Sequence, residues 1–276
     1  MNLIKQLQFD FRSGLTRKQY LLTCPILLLS CLLAVTEIES CNLCLSTLDF
    51  FLYSFAGSFP IFSNIVELEL QIPTIWLLIV NGCLYINIGY IVSDFSVLGI
   101  QRIIRCTRRY AWFFSKCIWI IVSCMLYLAL AFLMIFFMQI GMYGEITFAP
   151  SIQVLNHLTN GITVHNCTIT IADGIIIGII LPLITIITYS FFEFVMLFYT
   201  KPIISFVFGI AFQVVALCYQ SAFVVGNGAM VVRNSILISS GVTTGELLGV
   251  MMSVNFLLII IGYYRFSRMD ILEVGE

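Results

Sequence analysis

The chain has 276 residues, of which 61% are hydrophobic and 10% charged, and its mean hydropathy is +1.06. A soluble globular domain carries about 25% charged residues, so this composition excludes one and describes a protein immersed in lipid. The net charge of −1 conceals an uneven placement of cations along the chain.

At the N-terminus, Leu3, Leu7, Phe11 and Leu15 recur every fourth residue, with Lys5, Gln6, Gln8, Asp10 and Arg12 elsewhere on the wheel. Residues 1–19 are therefore expected to form a helix lying along a membrane interface. A membrane-crossing helix needs about 20 mostly apolar residues, and six runs qualify: 20–36, 73–93, 117–140, 173–198, 203–222 and 246–264. The first follows a basic leader, as a secretory signal would, but it carries Pro25 and ends in Thr36-Glu37-Ile38-Glu39 instead of small residues. It is read as a retained span. After it, the apolar patch DFFLYSFAGSFPIF, broken by Gly57 and Pro60, is expected to dip into the outer leaflet as a hairpin. Pro182 should kink the fourth span, and the short 199–202 link makes spans four and five an antiparallel hairpin. Between the last two spans, Gly226, Gly228, Gly241 and Gly245 are expected to turn short re-entrant helices. The fold expected is an all-α polytopic membrane protein, one transmembrane domain over residues 1–276.

The segment 94–116, between spans two and three, holds Arg102, Arg105, Arg108, Arg109 and Lys116. Read as a helix, it aligns Arg102, Arg105 and Arg109 in one stripe. Twelve of the thirteen cations fall on the side of this segment and the two termini, and only Arg233 falls opposite. The positive-inside rule then makes both termini and the arginine-rich segment cytoplasmic, in a multi-pass plasma-membrane protein. Glu37, Glu39, Asp49, Glu67, Glu69 and Glu145 occupy the other side.

Sites of chemistry are few. Glu193 is the one carboxylate well inside a span; it is expected to make a structural polar contact, toward the bundle or Lys201. Most cysteines lie in spans, where a thiol acts as a small apolar residue. Cys41, Cys44 and Cys167 face outward, with a disulfide among them left open and no zinc spacing around them. His157 and His165 stand apart from any carboxylate pair, so no metal site is expected, and Asn166-Cys167-Thr168 matches a glycosylation sequon. No zinc-protease, serine-elbow or phosphate-loop motif occurs. The chain is expected not to be an enzyme, to hold no cofactor of its own and to bind no nucleic acid.

The run VLGIQRIIRCTRRYAWFFSKCIWIIV, residues 97–122, together with the interfacial helix, six spans and the glycine-rich link, resembles the permease subunits of type-2 ABC exporters. The local resemblance is to Gram-positive permeases of bacteriocin, lantibiotic or antibiotic export and immunity. It implies a short coupling helix docking into a nucleotide-binding subunit, with Arg102, Arg105, Arg108, Arg109, Trp112 and Lys116 as the coupling residues. ATP and Mg would sit on that separate ATPase. It also implies a second permease copy, in a homodimer or heterodimer, and a peptide-like substrate passing along the dimer interface, lined by spans two and five. There Asn81, Asn87, Gln213 and Gln220 are the available polar side chains, although a helix-to-helix hydrogen bond suits each as well. The basic segment also suits anionic lipid. Two other readings stay open: a stand-alone secondary transporter, and an immunity or scaffold protein that binds a peptide without moving it.

Overall fold

The computed structural model describes residues 3–16, 18–40, 46–60, 72–94, 109–143, 148–151, 154, 158 and 169–269. Among these residues the ordered elements are helical, apart from one isolated bridge between Asn234 and Val242. In chain order they are α1 (Leu3–Leu15), α2 (Lys18–Leu21), α3 (Thr23–Ser40), α4 (Thr47–Ser54), α5 (Thr74–Asp94), α6 (Arg109–Tyr143), α7 (Ile171–Met196), α8 (Pro202–Cys218) and α9 (Thr244–Arg268).

Four of them, α5, α6, α7 and α9, are long and apolar enough to cross a membrane. The apolar stretches of α3 (Thr23–Glu37) and α8 (Pro202–Cys218) are shorter. The 35 residues of α6 rise about 52 Å at 1.5 Å each, well beyond a hydrocarbon core of about 30 Å. It begins eight residues before the apolar run expected at 117 and so takes in Arg109, Trp112 and Lys116.

Helices that are apolar on every face need an apolar surrounding on every face. Here α7 lies at the centre, buried almost continuously from Leu181 to Val195, and packs against α5, α6, α8 and α9. The outer helices turn large apolar side chains outward: Leu28, Leu29 and Leu32 on α3, Val207 and Phe208 on α8, Phe256 and Leu257 on α9. At Pro182, which has no N–H to donate, α7 runs through a π-helical turn, Ile176–Ile180, and the Leu181 N–H reaches back to Ile176 O. An extra residue in one turn absorbs the missing bond.

At one end of the bundle Arg109 donates to the carbonyls of Ser267 (2.9 Å) and Met269 (3.0 Å), at the C-terminus of α9. The Arg265 guanidinium lies 5.2 Å from the Tyr199 ring in the α7–α8 link. The described cations of α6, α9 and that link thus share this basic end. At the opposite end, Ser46 and Asp49 form a capping box on α4, and the Asp49 carboxylate also accepts from the Ser151 N–H at 3.0 Å. Burial pushes the Asp49 carboxyl up from its ordinary range, and the bonds from Ser46 and Ser151 offset part of that shift.

The α8–α9 link enters the same end as two 3₁₀ turns, Val225–Ala229 and Val231–Arg233, both buried. They are single turns where short helices were expected. Gly57, at φ 76°, reverses the chain after α4 against Met230. The N–H groups of Val231 and Val232 then bond Phe55 O (2.9 Å) and Ala56 O (3.1 Å). Arg233 closes the corner: it donates to Ser58 O (2.7 Å), Leu217 O (3.0 Å), Tyr219 O (3.1 Å), Asn227 Oδ1 (2.5 Å) and Ala216 O. Three of these are orphan carbonyls at the C-terminus of α8, where a cation meets the negative end of the helix dipole. Burial pushes the guanidinium down to about 10, which leaves it charged at neutral pH.

Candidate functional site

Of the six expected coupling residues, Arg102, Arg105 and Arg108 lie outside the described residues. Arg109 is exposed at the basic end, where its side chain caps α9. Trp112 and Lys116 point inward. Trp112 is buried and stacks on Phe266, ring centroids 4.8 Å apart at 22°. Its neighbour Phe113 meets Phe194 at 5.4 Å, Phe266 at 6.1 Å and Tyr263 at 5.7 Å. The first turns of α6 are thus embedded among aromatic rings from α7 and α9.

Lys116 is fully buried, and its Nζ lies 2.8 Å from Asp10 Oδ1, with both side chains at 0% exposure. Two charges removed from water need close pairing and further hydrogen bonds to persist, and these are present. Asp10 Oδ1 also accepts from Tyr90 (2.9 Å) and Gln6 (3.3 Å), and Oδ2 accepts from Ser115. Lys116 in turn donates to the Tyr90 hydroxyl at 3.2 Å and sits 4.4 Å from that ring's centroid. The pair joins α1 to α6 across 106 positions of sequence, with α5 contributing Tyr90.

Of the expected apolar stripe on α1, Leu3, Leu7 and Phe11 are half-buried and Leu15 is exposed. The buried residues of this helix are Gln6, Asp10 and Gly14, whereas Ile4 and Leu15 face outward. The polar stripe docks on α6 because Asp10 has a cation there. Gly14 permits the approach, since a Cβ at that position would lie 2.3 Å from the Trp119 ring.

The four expected path residues are engaged with protein groups. Asn81 and Gln213 form a reciprocal amide pair between α5 and α8, at 2.8 Å and 3.2 Å. Gln220 donates to Ser240 O at 3.1 Å. Asn87 belongs to a polar string that sequence reasoning missed. Ser123 donates to Asn87 Oδ1 at 2.6 Å, and Asn87 Nδ2 donates to Ser190 Oγ at 3.1 Å and to Cys124 Sγ at 3.3 Å. Tyr20 bonds Ser123 at one end, and the Cys83 and Cys124 sulfurs lie 3.9 Å apart beside the string. No motif announces this assembly, because its members come from α2, α5, α6 and α7 one or two at a time.

Glu193 lies one turn beyond Ser190 on α7. The polar contact expected of it is missing among the described residues: both carboxyl oxygens are buried and have no hydrogen-bond partner there. Ser205 bonds its backbone carbonyl instead, at 3.0 Å.

Among the described residues no three metal-ligating side chains gather. An apolar groove of about 510 Å³ lined by Phe51, Met125, Leu128, Phe132, Ile179 and Leu183 offers no polar group to orient a ligand. Cys41, Cys44, Cys106, Cys167, both histidines and Asn166 lie outside the described residues. Compared with protein families, with curated proteins and with solved structures, the chain matches none.

Proposed function

We propose that the chain is the membrane-spanning, non-catalytic subunit of an ATP-driven exporter resembling type-2 ABC permeases, moving a peptide or amphipathic antibiotic out of the cell. In this reading α3 and α8 complete six crossings with α5, α6, α7 and α9, and α1 lies at the inner face. The basic end is cytoplasmic, and a separate ATPase binds ATP and Mg. Two copies, identical or related, enclose the path.

The observation that carries this reading is the anchorage of α6. One unbroken helix carries Arg109, Trp112 and Lys116 of the basic segment and runs to Tyr143. Its first turns are tied to α1 by Lys116 and Asp10, to α9 by Arg109, and to α7 through Phe113. A rigid helix held this way passes a displacement at its N-terminus to three other helices together. The surface offered to the motor is then Arg102, Arg105, Arg108 and Arg109, while Trp112 and Lys116 transmit from inside.

Co-purification tests the proposal. A soluble ATPase should accompany the chain at roughly equal stoichiometry, and Arg102→Glu with Arg105→Glu should release it while the bundle stays folded. Retention of the ATPase by the folded variant, or full transport by the chain alone in vesicles, would refute it. A stand-alone secondary transporter is the second reading, favoured by the buried string ending near Glu193. Transport by the isolated chain, driven by an ion gradient, would establish that reading in its place.

A further inference from the structure

Glu193 has no role in the exporter reading, and its surroundings are unusual. The side chain is 1% exposed, and among the described residues neither carboxyl oxygen has a hydrogen-bond partner. It faces α8 at Gly209, where a Cβ would lie 2.7 Å from Oε1. The absence of a side chain on α8 at that point is what makes room for the carboxyl group.

An ionised carboxylate in such a place would have neither donor nor cation among the described residues to compensate its burial. The groups that α7's neighbours present do not supply them. From α5 and α6 the titratable groups near Glu193 are the Cys83 and Cys124 thiols. Of the cations on α6, Lys116 pairs with Asp10 and Arg109 bonds the end of α9. The described part of α8 offers Gly209 and Ser205 here, and Ser205 is committed to the Glu193 backbone. On α9 the charged residues, Glu246, Arg265 and Arg268, are in its first and last turns. The Val225–Ala229 turn carries no titratable side chain.

We propose that Glu193 is a proton-binding site at the α7–α8 crossing, a neutral carboxylic acid that keeps its proton while the two helices are packed at Gly209 and releases it when they separate. The polar string of Ser190, Asn87, Ser123 and Tyr20 begins one turn along α7 and would receive that proton. The site belongs to this chain alone, so it holds whether or not a motor is attached.

Infrared spectroscopy of the purified chain in lipid vesicles tests this. At neutral pH a carboxylic-acid C=O band should be present, shift in deuterated water, and vanish in Glu193→Gln, which preserves shape and neutrality and therefore folds. The same band in the variant, or its absence from the wild type at neutral pH, overturns the proposal. Dicyclohexylcarbodiimide supplies an independent reading. The acid's proton moves to one carbodiimide nitrogen, its oxygen bonds to the central carbon, and the O-acylisourea rearranges to an N-acylurea with nothing leaving. Peptide mass spectrometry should find this adduct on Glu193 at neutral pH and its loss in the alkaline range. An adduct yield unchanged by alkali would overturn the dependence on a bound proton.

Discussion

Replacing Lys116 and Asp10 singly and together measures what the buried pair does. Lys116→Met leaves the Asp10 carboxylate in a dry site with three remaining donors, Tyr90, Gln6 and Ser115. Breaking one side of a buried pair costs about 3–5 kcal/mol. Hydrogen bonds to a charged acceptor are worth about 1.5–3 kcal/mol each, so the retained donors place this variant near the lower bound. Asp10→Asn strands the ammonium with the Tyr90 hydroxyl and the faces of Tyr90 and Trp112. Ring faces return about 0.5–2 kcal/mol, which places this variant near the upper bound. The double variant carries no charge there, so its loss should fall short of the sum of the singles by about 2 kcal/mol or more, within the range found for directly contacting groups. Because α1 buries little besides this stripe, the loss should be local. Protease protection of residues 3–16 should fall in each single variant and recover in the double, while thermal unfolding of α5 to α9 in detergent changes little. Additive single effects, or a Lys116→Met cost below about 1 kcal/mol, as for a surface pair, would refute the reasoning.

Two further outcomes concern Gly14 and Asp49. Gly14→Ala should undock α1 although alanine favours a helix by about 0.5–1 kcal/mol, because its Cβ would overlap the Trp119 ring; the control Gly249→Ala, in open space on α9, should show only the propensity gain in thermal unfolding. At Asp49 the folded-state carboxyl takes up its proton at a higher pH than the unfolded one, so between those two values acidification favours the folded chain. Measured against the Asp49→Asn variant, wild-type stability should rise as the pH falls from neutral through that window; a fall would mean that the hydrogen bonds from Ser46 and Ser151 outweigh burial.

Much of the helical plan was legible because a long apolar run has few structural options. The runs at 73–93 and 246–264 correspond to α5 and α9 within a few residues. The inward aspect of Trp112 and Lys116 was not legible, since both read as coupling residues of the basic segment. Lys116 is inside because a carboxylate 106 positions away neutralises it, and no local pattern encodes that. The same pairing explains α1, where the leucine stripe was visible but the polar stripe governs docking. Asn81 and Gln213 were recognisable as polar residues in apolar helices, yet only the packing of α5 on α8 shows them satisfying one another. Arg233, the lone cation on its side, stood out in the sequence, but its acceptors are backbone atoms, which sequence does not distinguish.

Those acceptors bear on how the corner tolerates change. Four of the five are main-chain carbonyls, which every residue type supplies, so a change of side chain at Ser58 or Leu217 leaves the guanidinium its acceptors. Lysine at position 233 would offer three donors from a single point in place of a planar five-donor fork. Variation in related chains should therefore run freely around this corner and halt at Arg233 and Asn227.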